Sequence, residues 1–297
     1  MAGRAETRIL QGKEVAEHVY SQLGSTTEKL KSKETVPGLA AVLVGENPAS
    51  EIYVRNKTRR FKNLGLYSET HRYPADVNQD HLVDKIHRLN EDPKIHGILV
   101  QLPLPDQLDS QKILYEVSPE KDVDGFHPEN LGRLAVGEPR FIPCTPKGIL
   151  EILRYYEIAT EGKHVVIVGR SKIVGRPMSL LLSLKRKRGN ATTTLCHSRT
   201  QNIGHFTRQA DIIVAAAGAP GMITGDMISP GVIIIDVGMN RIADDSEKGY
   251  HLSGDVDASS VEGIAAALTP VPGGVGPMTI AMLVANTVQA ALRLEIP

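Results

Sequence analysis

Cysteine is scarce in this sequence: 297 residues hold only Cys144 and Cys196, far apart and without ligand spacing. That excludes a fold stapled by disulfides and predicts two reduced thiols, buried or half-buried. Ten histidines include no HExxH-type pattern, so no metal site is expected. Net charge is absent too, with 34 basic and 34 acidic side chains. No global field recruits nucleic acid or an anionic membrane, and any anion site must be local. No apolar run reads as long enough to span a membrane, and Met1-Ala-Gly-Arg-Ala-Glu6 carries charge where a signal peptide needs an apolar core. The expectation is a cytoplasmic protein with neither a membrane nor a nucleic-acid partner.

What is present is a hydrophobic share of 41%, ample for one large or two ordinary domains. From Gly38 onward, short aliphatic runs alternate with longer mixed stretches, the pattern of strand–helix units in a parallel sheet. Strands are predicted at Leu39 to Gly45, Tyr67 to Arg72 and Gly97 to Pro103, with helices from Pro48 to about Leu64 and from Gln79 to Asn90. The segment from Asp122 to Thr145, rich in Gly, Pro and charge, reads as an inter-domain connection. Alternation then restarts with a helix from Pro146 to about Tyr156 and strands at His164 to Gly169, Thr192 to Cys196, Asp211 to Ala215 and Val232 to Asp236. A last apolar helix, from about Pro277 to Leu292, needs burial and is assigned to the first domain. The fold class is thus α/β: two α/β domains flanking a cleft, the second a Rossmann-like parallel sheet. Their expected spans are 1–145, completed by 277–297, and 146–276.

Tyr53 and Lys57 stand at i and i+4, on one face of a predicted helix. Gln101 ends a later strand, so all three can meet at the carboxyl edge of a parallel sheet. A lysine in a cleft beside a neutral amide is suited to trading protons near neutrality; an exposed pair on an amphipathic helix is the bland alternative. Asp122-Val123-Asp124-Gly125 adds two carboxylates at a turn.

In the second half, the strand ending at Gly169 runs through Arg170 and Ser171 to Gly175 and Pro177, which places amides and a positive helix end where phosphates bind. The GxGxxG spacing is missing, so an ordinary tight turn remains the alternative. No acidic residue ends the next strand; His197-Ser198-Arg199-Thr200 stands there instead. Arg170, Ser198 and Arg199 can surround a 2′-phosphate, which favours NADP over NAD. The Lys185-Arg-Lys-Arg188 cluster reads as a solvated helix end rather than a phosphate clamp. Pro272-Gly-Gly-Val-Gly-Pro277 is a stiff loop that permits close backbone approach to a ligand.

Over nearly its whole length the chain resembles the bifunctional methylenetetrahydrofolate dehydrogenase/methenyltetrahydrofolate cyclohydrolase family. The motifs that carry the resemblance are Glu51-Ile-Tyr53-Val-Arg-Asn-Lys57, Val100-Gln101-Leu102-Pro103-Leu-Pro105, Lys121-Asp-Val-Asp124-Gly125-Phe126, Gly169-Arg-Ser171 and Pro270-Val-Pro272-Gly-Gly-Val-Gly-Pro277. The resemblance implies oxidation of 5,10-methylenetetrahydrofolate with NADP and hydrolysis of the product to 10-formyltetrahydrofolate, a step in one-carbon metabolism. It implies that Lys57 moves the hydrolytic protons, Gln101 tunes it, Tyr53 stacks on the folate and Asp124 anchors the pterin. Val100, Gln101, Leu102, Pro272, Gly273, Gly274, Val275 and Gly276 would line the folate, while Gly169, Arg170, Ser171, Ser198 and Met239 would contact the cofactor. It also implies a homodimer and cis peptide bonds before Pro103 and Pro272; the chain departs from the family pattern in a longer stretch at Leu184 to Asn190.

Overall fold

The run Gly38–Val44 is buried at all seven positions, as expected for a central strand covered on both faces. In the computed structural model, which describes residues 6–246 and 249–294, it lies between two parallel neighbours, Tyr67–Tyr73 and Gly97–Val100. The polar alternation of Tyr67–Tyr73 fits its place at a sheet edge. Against this sheet pack Leu82, Ile86 and Leu89 of the helix Gln79–Glu91, an i, i+4, i+7 stripe. Each such side chain contributes about 2 kcal/mol of transfer free energy when fully buried. Lys121 ends that helix: its buried Nζ donates to the carbonyls of Leu89 and Asp92 at 3.1 and 2.7 Å. Burial pulls its pKa below the usual lysine range.

These strands belong to one of two compact units, residues 18–144 with 280–297. The stretch from Asp122 to Cys144 is part of this unit rather than a connection, and it contains the helix Pro128–Ala135. His127 Nδ1 caps that helix by accepting from the Glu129 amide at 3.1 Å.

The other unit, residues 1–17 with 145–279, is a six-stranded sheet in the order Arg8–Ile9, Ala267–Leu268, Ile233–Asp236, Ile212–Ala215, His164–Val168, Thr192–Cys196, parallel throughout. The expected first domain began at residue 1, but Arg8–Ile9 pairs with Ala267–Leu268, which places residues 1–17 with the six-stranded unit. Val166, Val168, Ile213, Ala215 and Ile234 form the middle of its core. The chain order reverses between His164–Val168 and Ile212–Ala215, so the crevice at their carboxyl ends is a topological switch point.

Three other features depart from the sequence reading. The helix Gly175–Ser183 ends before the basic cluster, so Lys185–Arg188 lies in a turn closed by Asn190 N donating to Leu184 O at 2.9 Å, with Arg188 3.7 Å from Glu151. A hairpin, Asn240–Ala243 with Tyr250–Ser253, follows the strand Ile233–Asp236. The helix Val275–Leu294 has the length and apolar composition of a membrane span, contrary to the expectation that no run does. Its Met278, Ala281, Met282, Leu283, Val284, Val288 and Ala291 are buried in the protein. Both cysteines are free and buried, and burial pushes the Cys196 thiol up.

Candidate active site

In the unit of the three-stranded sheet, Asn47 starts the helix Pro48–Asn63 by accepting from the amides of Ala49 and Ser50, with Pro48 in the first turn. The buried face of that helix carries Ser50, Val54, Lys57 and Phe61. Lys57 is therefore in an otherwise core-facing row and only 8% exposed, which rules out the bland surface reading. Its Nζ donates to Gln101 Oε1 at 3.1 Å. Gln101 follows the strand Gly97–Val100, and its own amide donates to Val42 O at 2.9 Å, extending the ladder beyond the strand end. This too is a switch point: the strand order Tyr67–Tyr73, Gly38–Val44, Gly97–Val100 reverses between the last two. Tyr53, one turn before Lys57, is 39% exposed. Val100 is buried, Leu102 is half-buried against the same core, and the Leu102–Pro103 bond is cis.

Asp124 lies within electrostatic reach of Lys57; burial raises its pKa, and the Lys57 charge and a hydrogen bond with Cys144 oppose the rise. Its neighbour Asp122 has a different task. Asp122 accepts from the amides of Phe126 and His127 and from Asn130 Nδ2, at 3.2, 2.8 and 2.8 Å, so it shapes the turn at Gly125. Burial raises the Asp122 pKa against those three donors. Sequence reasoning missed Cys144 and Asn286. The Cys144 thiol and Asn286 Nδ2 both donate to Val123 O, at 3.4 and 2.8 Å, and Asn286 also holds Ile142 O at 3.1 Å. The available signal was a lone asparagine within an apolar helix, which must find buried acceptors.

The cofactor candidates lie in the six-stranded unit. A Cβ on Gly169 would sit 2.0 Å from Ala216 O, and one on Gly175 1.9 Å from Gly169 O. Glycine is thus required at both places for strand end and helix start to meet. Ser171 Oγ accepts from the amides of Val174 and Gly175 at 3.0 and 3.4 Å, acting as the cap that Val174 cannot supply. Gly169 N donates to Cys196 O at 2.8 Å, tying this turn to the next one. There His197 N donates to Thr200 Oγ1 at 2.9 Å and Arg199 N to His197 Nδ1 at 3.2 Å. This locked turn leaves Ser198 and Arg199 exposed on the same sheet edge as exposed Arg170. A dinucleotide with a 2′-phosphate fits this donor set: hydroxyl and guanidinium groups, a tight glycine turn, and no carboxylate.

Pro272, Gly273, Gly274, Val275 and Gly276 also belong to the six-stranded unit. The Val271–Pro272 bond is cis, Gly273 has φ +110°, and Gly274 N closes the turn on Pro270 O at 2.8 Å. Gly276 lies against the Met239 side chain, 3.0 Å from the position a Cβ would take. Met239 itself is 38% exposed. No group of three or more His, Cys, Asp or Glu side chains placed to hold a metal occurs among the described residues.

Comparison with known proteins assigns both halves of the chain to one family. Residues 10–124 match the family model "Tetrahydrofolate dehydrogenase/cyclohydrolase, catalytic domain", and residues 143–295 match "Tetrahydrofolate dehydrogenase/cyclohydrolase, NAD(P)-binding domain". A relative from Pelodictyon phaeoclathratiforme, "Bifunctional protein FolD", is 51% identical over 97% of this chain and 99% of its own. The crystal structure of the bifunctional FolD enzyme from Campylobacter jejuni superposes with a TM-score of 0.91 at 44% identity, covering 97% of this chain and 99% of that one. The Trypanosoma brucei enzyme, solved with NADP cofactor and an inhibitor, gives 0.93 at 37% identity over 99% and 100% of the two chains.

Proposed function

The chain belongs to the tetrahydrofolate dehydrogenase/cyclohydrolase family, and from that premise we propose which of its residues perform the family's two reactions. It is a bifunctional enzyme: it oxidises 5,10-methylenetetrahydrofolate to the 5,10-methenyl cation with NADP and hydrolyses that cation to 10-formyltetrahydrofolate. The observation that carries the assignment of roles is the buried Lys57 held by the neutral carbonyl of Gln101.

Hydrolysis needs one group that takes a proton and gives it back. Water attacks the methenyl carbon; one of its protons passes to the Lys57 amine, the resulting ammonium protonates the ring nitrogen whose bond to that carbon breaks, and the remaining hydroxyl proton leaves to solvent as the formyl C=O forms. A neutral amine does not repel the substrate cation. Gln101 suits this cycle because its carbonyl orients Nζ in both protonation states without adding a charge that would favour the ammonium. Asp124 anchors the pterin, Tyr53 covers the folate ring, Val100 and Leu102 supply the apolar wall, and Pro272 to Gly276 shape the substrate side. NADP supplies the hydride acceptor for the first reaction. Gly169 to Ser171, Ser198 and Met239 hold it, with Arg170 and Ser198, assisted by Arg199, meeting the 2′-phosphate. Residues 18–144 with 280–297 would carry the folate chemistry and residues 1–17 with 145–279 the cofactor. The assembly is proposed to be a homodimer acting in the cytoplasm.

One coupled assay tests the function: methylenetetrahydrofolate is offered with NADP and then with NAD while methenyl and formyl products are followed. Formation of both products with preference for NADP is expected. Accumulation of the methenyl compound without hydrolysis would overturn the two-activity reading.

A further inference from the structure

The loop Ala217–Ala219, at the carboxyl edge of the switch-point crevice, turns three successive amides onto one buried carboxylate. Asp255 Oδ2 accepts from Ala217 N and Gly218 N at 2.6 and 2.9 Å, and Oδ1 accepts from Ala219 N at 3.0 Å. Asn240 Nδ2 donates to the same Oδ1 at 2.9 Å. Asp255 is fully buried and is absent from the proton-transfer chemistry above. We infer that Asp255 is a positioning residue for the dinucleotide: it fixes the backbone that walls the crevice between His164–Val168 and Ile212–Ala215.

The inference rests on the NADP reading of this unit and on three observations. First, the held loop directly follows the strand Ile212–Ala215, and Ala216 O faces the Gly169 turn across a gap too small for a Cβ. A shift of Ala216 to Ala219 therefore moves the glycine turn as well. Second, successive amides pointing into one concavity form an anion-binding nest. Here the anion is internal, so those amides are spent and the dinucleotide phosphates must be met by the Gly169–Ser171 turn instead. Third, the carboxylate is itself anchored. Asp236 Oδ1 accepts from Gly238 N and Asp255 N, both at 2.9 Å, and Oδ2 accepts from Val256 N at 3.0 Å. Cβ atoms on Gly238 and Gly254 would fall 2.5 Å from Asp255 Oδ1 and 1.8 Å from Asp236 Oδ2. Through Asn240 and Gly238, which flank it in sequence, the same network sets the backbone at Met239.

Asp255→Asn is the sharpest test, because it keeps the shape and replaces one acceptor oxygen with a donor. In either amide orientation an N–H then faces an N–H. NADPH binding, followed by its fluorescence in full-length protein, is expected to weaken by about tenfold or more, the scale of one lost charge-assisted hydrogen bond. KM for NADP rises more than kcat falls, and methenyl hydrolysis, which uses no cofactor, declines much less than NADPH affinity. Should Asp255→Asn fail to fold, Gly238→Ala displaces the carboxylate and Asn240→Ala removes one donor; each is expected to weaken NADPH in the same selective way. Unchanged NADPH affinity in a folded variant would overturn the inference, as would equal losses in hydrolysis and cofactor binding. If the unaltered protein fails to bind NADPH, the cofactor reading itself falls and takes this inference with it.

Discussion

Lys57 donates to Gln101 Oε1 at 3.1 Å while Gln101 Nε2 donates to Leu102 O at 2.6 Å, so the amide group is oriented by two opposed hydrogen bonds. Its carbonyl is committed to the lysine and its nitrogen to the backbone. The lysine is therefore held by a rigid neutral partner.

Lys57→Met keeps an unbranched side chain, one atom shorter, and removes the proton carrier. Hydrolysis of the methenyl compound is expected to fall by about 100-fold or more, the range of general acid–base catalysis, while NADPH binding persists. Normal hydrolysis by this variant, measured as loss of methenyl absorbance, would remove Lys57 from the mechanism.

Gln101→Glu replaces a neutral acceptor with a carboxylate of nearly the same shape. A charge beside Lys57 favours the ammonium and disfavours the amine. Hydrolysis of the methenyl compound is expected to drop by about tenfold or more. Hydrolysis at the wild-type rate would show that the neutrality of Gln101 is irrelevant.

Arg170 and Ser198 stand at adjacent strand ends, with Gly169 N bonded to Cys196 O between them. Arg170→Ala and Ser198→Ala are each expected to weaken NADP by about tenfold or more, as for the loss of a charge-assisted bond, and to leave NAD nearly unchanged. Paired KM measurements for the two cofactors decide the matter, and equal losses for both would refute contact with the 2′-phosphate.

Burial pushes the Asp236 carboxyl up to about 6, against the pull of the Asp255, Gly238 and Val256 amides and with a further push from the Asp255 charge. The folded chain then holds this proton more tightly than the unfolded chain does. The associated stability is fully present below about pH 4 and is lost as pH rises through about 6, on the order of 3 kcal/mol. Denaturant titrations of wild type and Asp236→Asn between pH 4 and 7 isolate this contribution, since other groups cancel in the difference. The wild-type advantage is expected to shrink with rising pH, and a constant or growing advantage would contradict the assignment.

Much of the fold is legible in the sequence because buried parallel strands such as Gly38–Val44 and His164–Val168 are continuous aliphatic runs. The alternation read from Gly38 onward leaves out the helix Gly12–Lys31, whose Ser25-Thr26-Thr27 stretch and internal Gly24 dilute helix propensity. The strands Arg8–Ile9 and Ala267–Leu268 are two residues each, too short for any period to register. Lys57 and Gln101 were readable as a pair only through helix and strand direction. Cys144, Asn286 and Asp255 were not, because their partners are backbone groups many residues away, and backbone carries no sequence signal.

The helices Gly12–Lys31 and Val275–Leu294 each begin in the six-stranded unit and end in the other, with the boundaries at Glu17 and Thr279. No single scission of the chain can therefore liberate an intact half, and a fragment cut at 143–295 would lack the strand Arg8–Ile9 and carry helix turns whose burial depends on residues 18–144. During synthesis the same threading delays both halves. The sheet around Lys57 lacks its closing helix until residues past Ile280 emerge, so the two units should mature together late in translation rather than in succession.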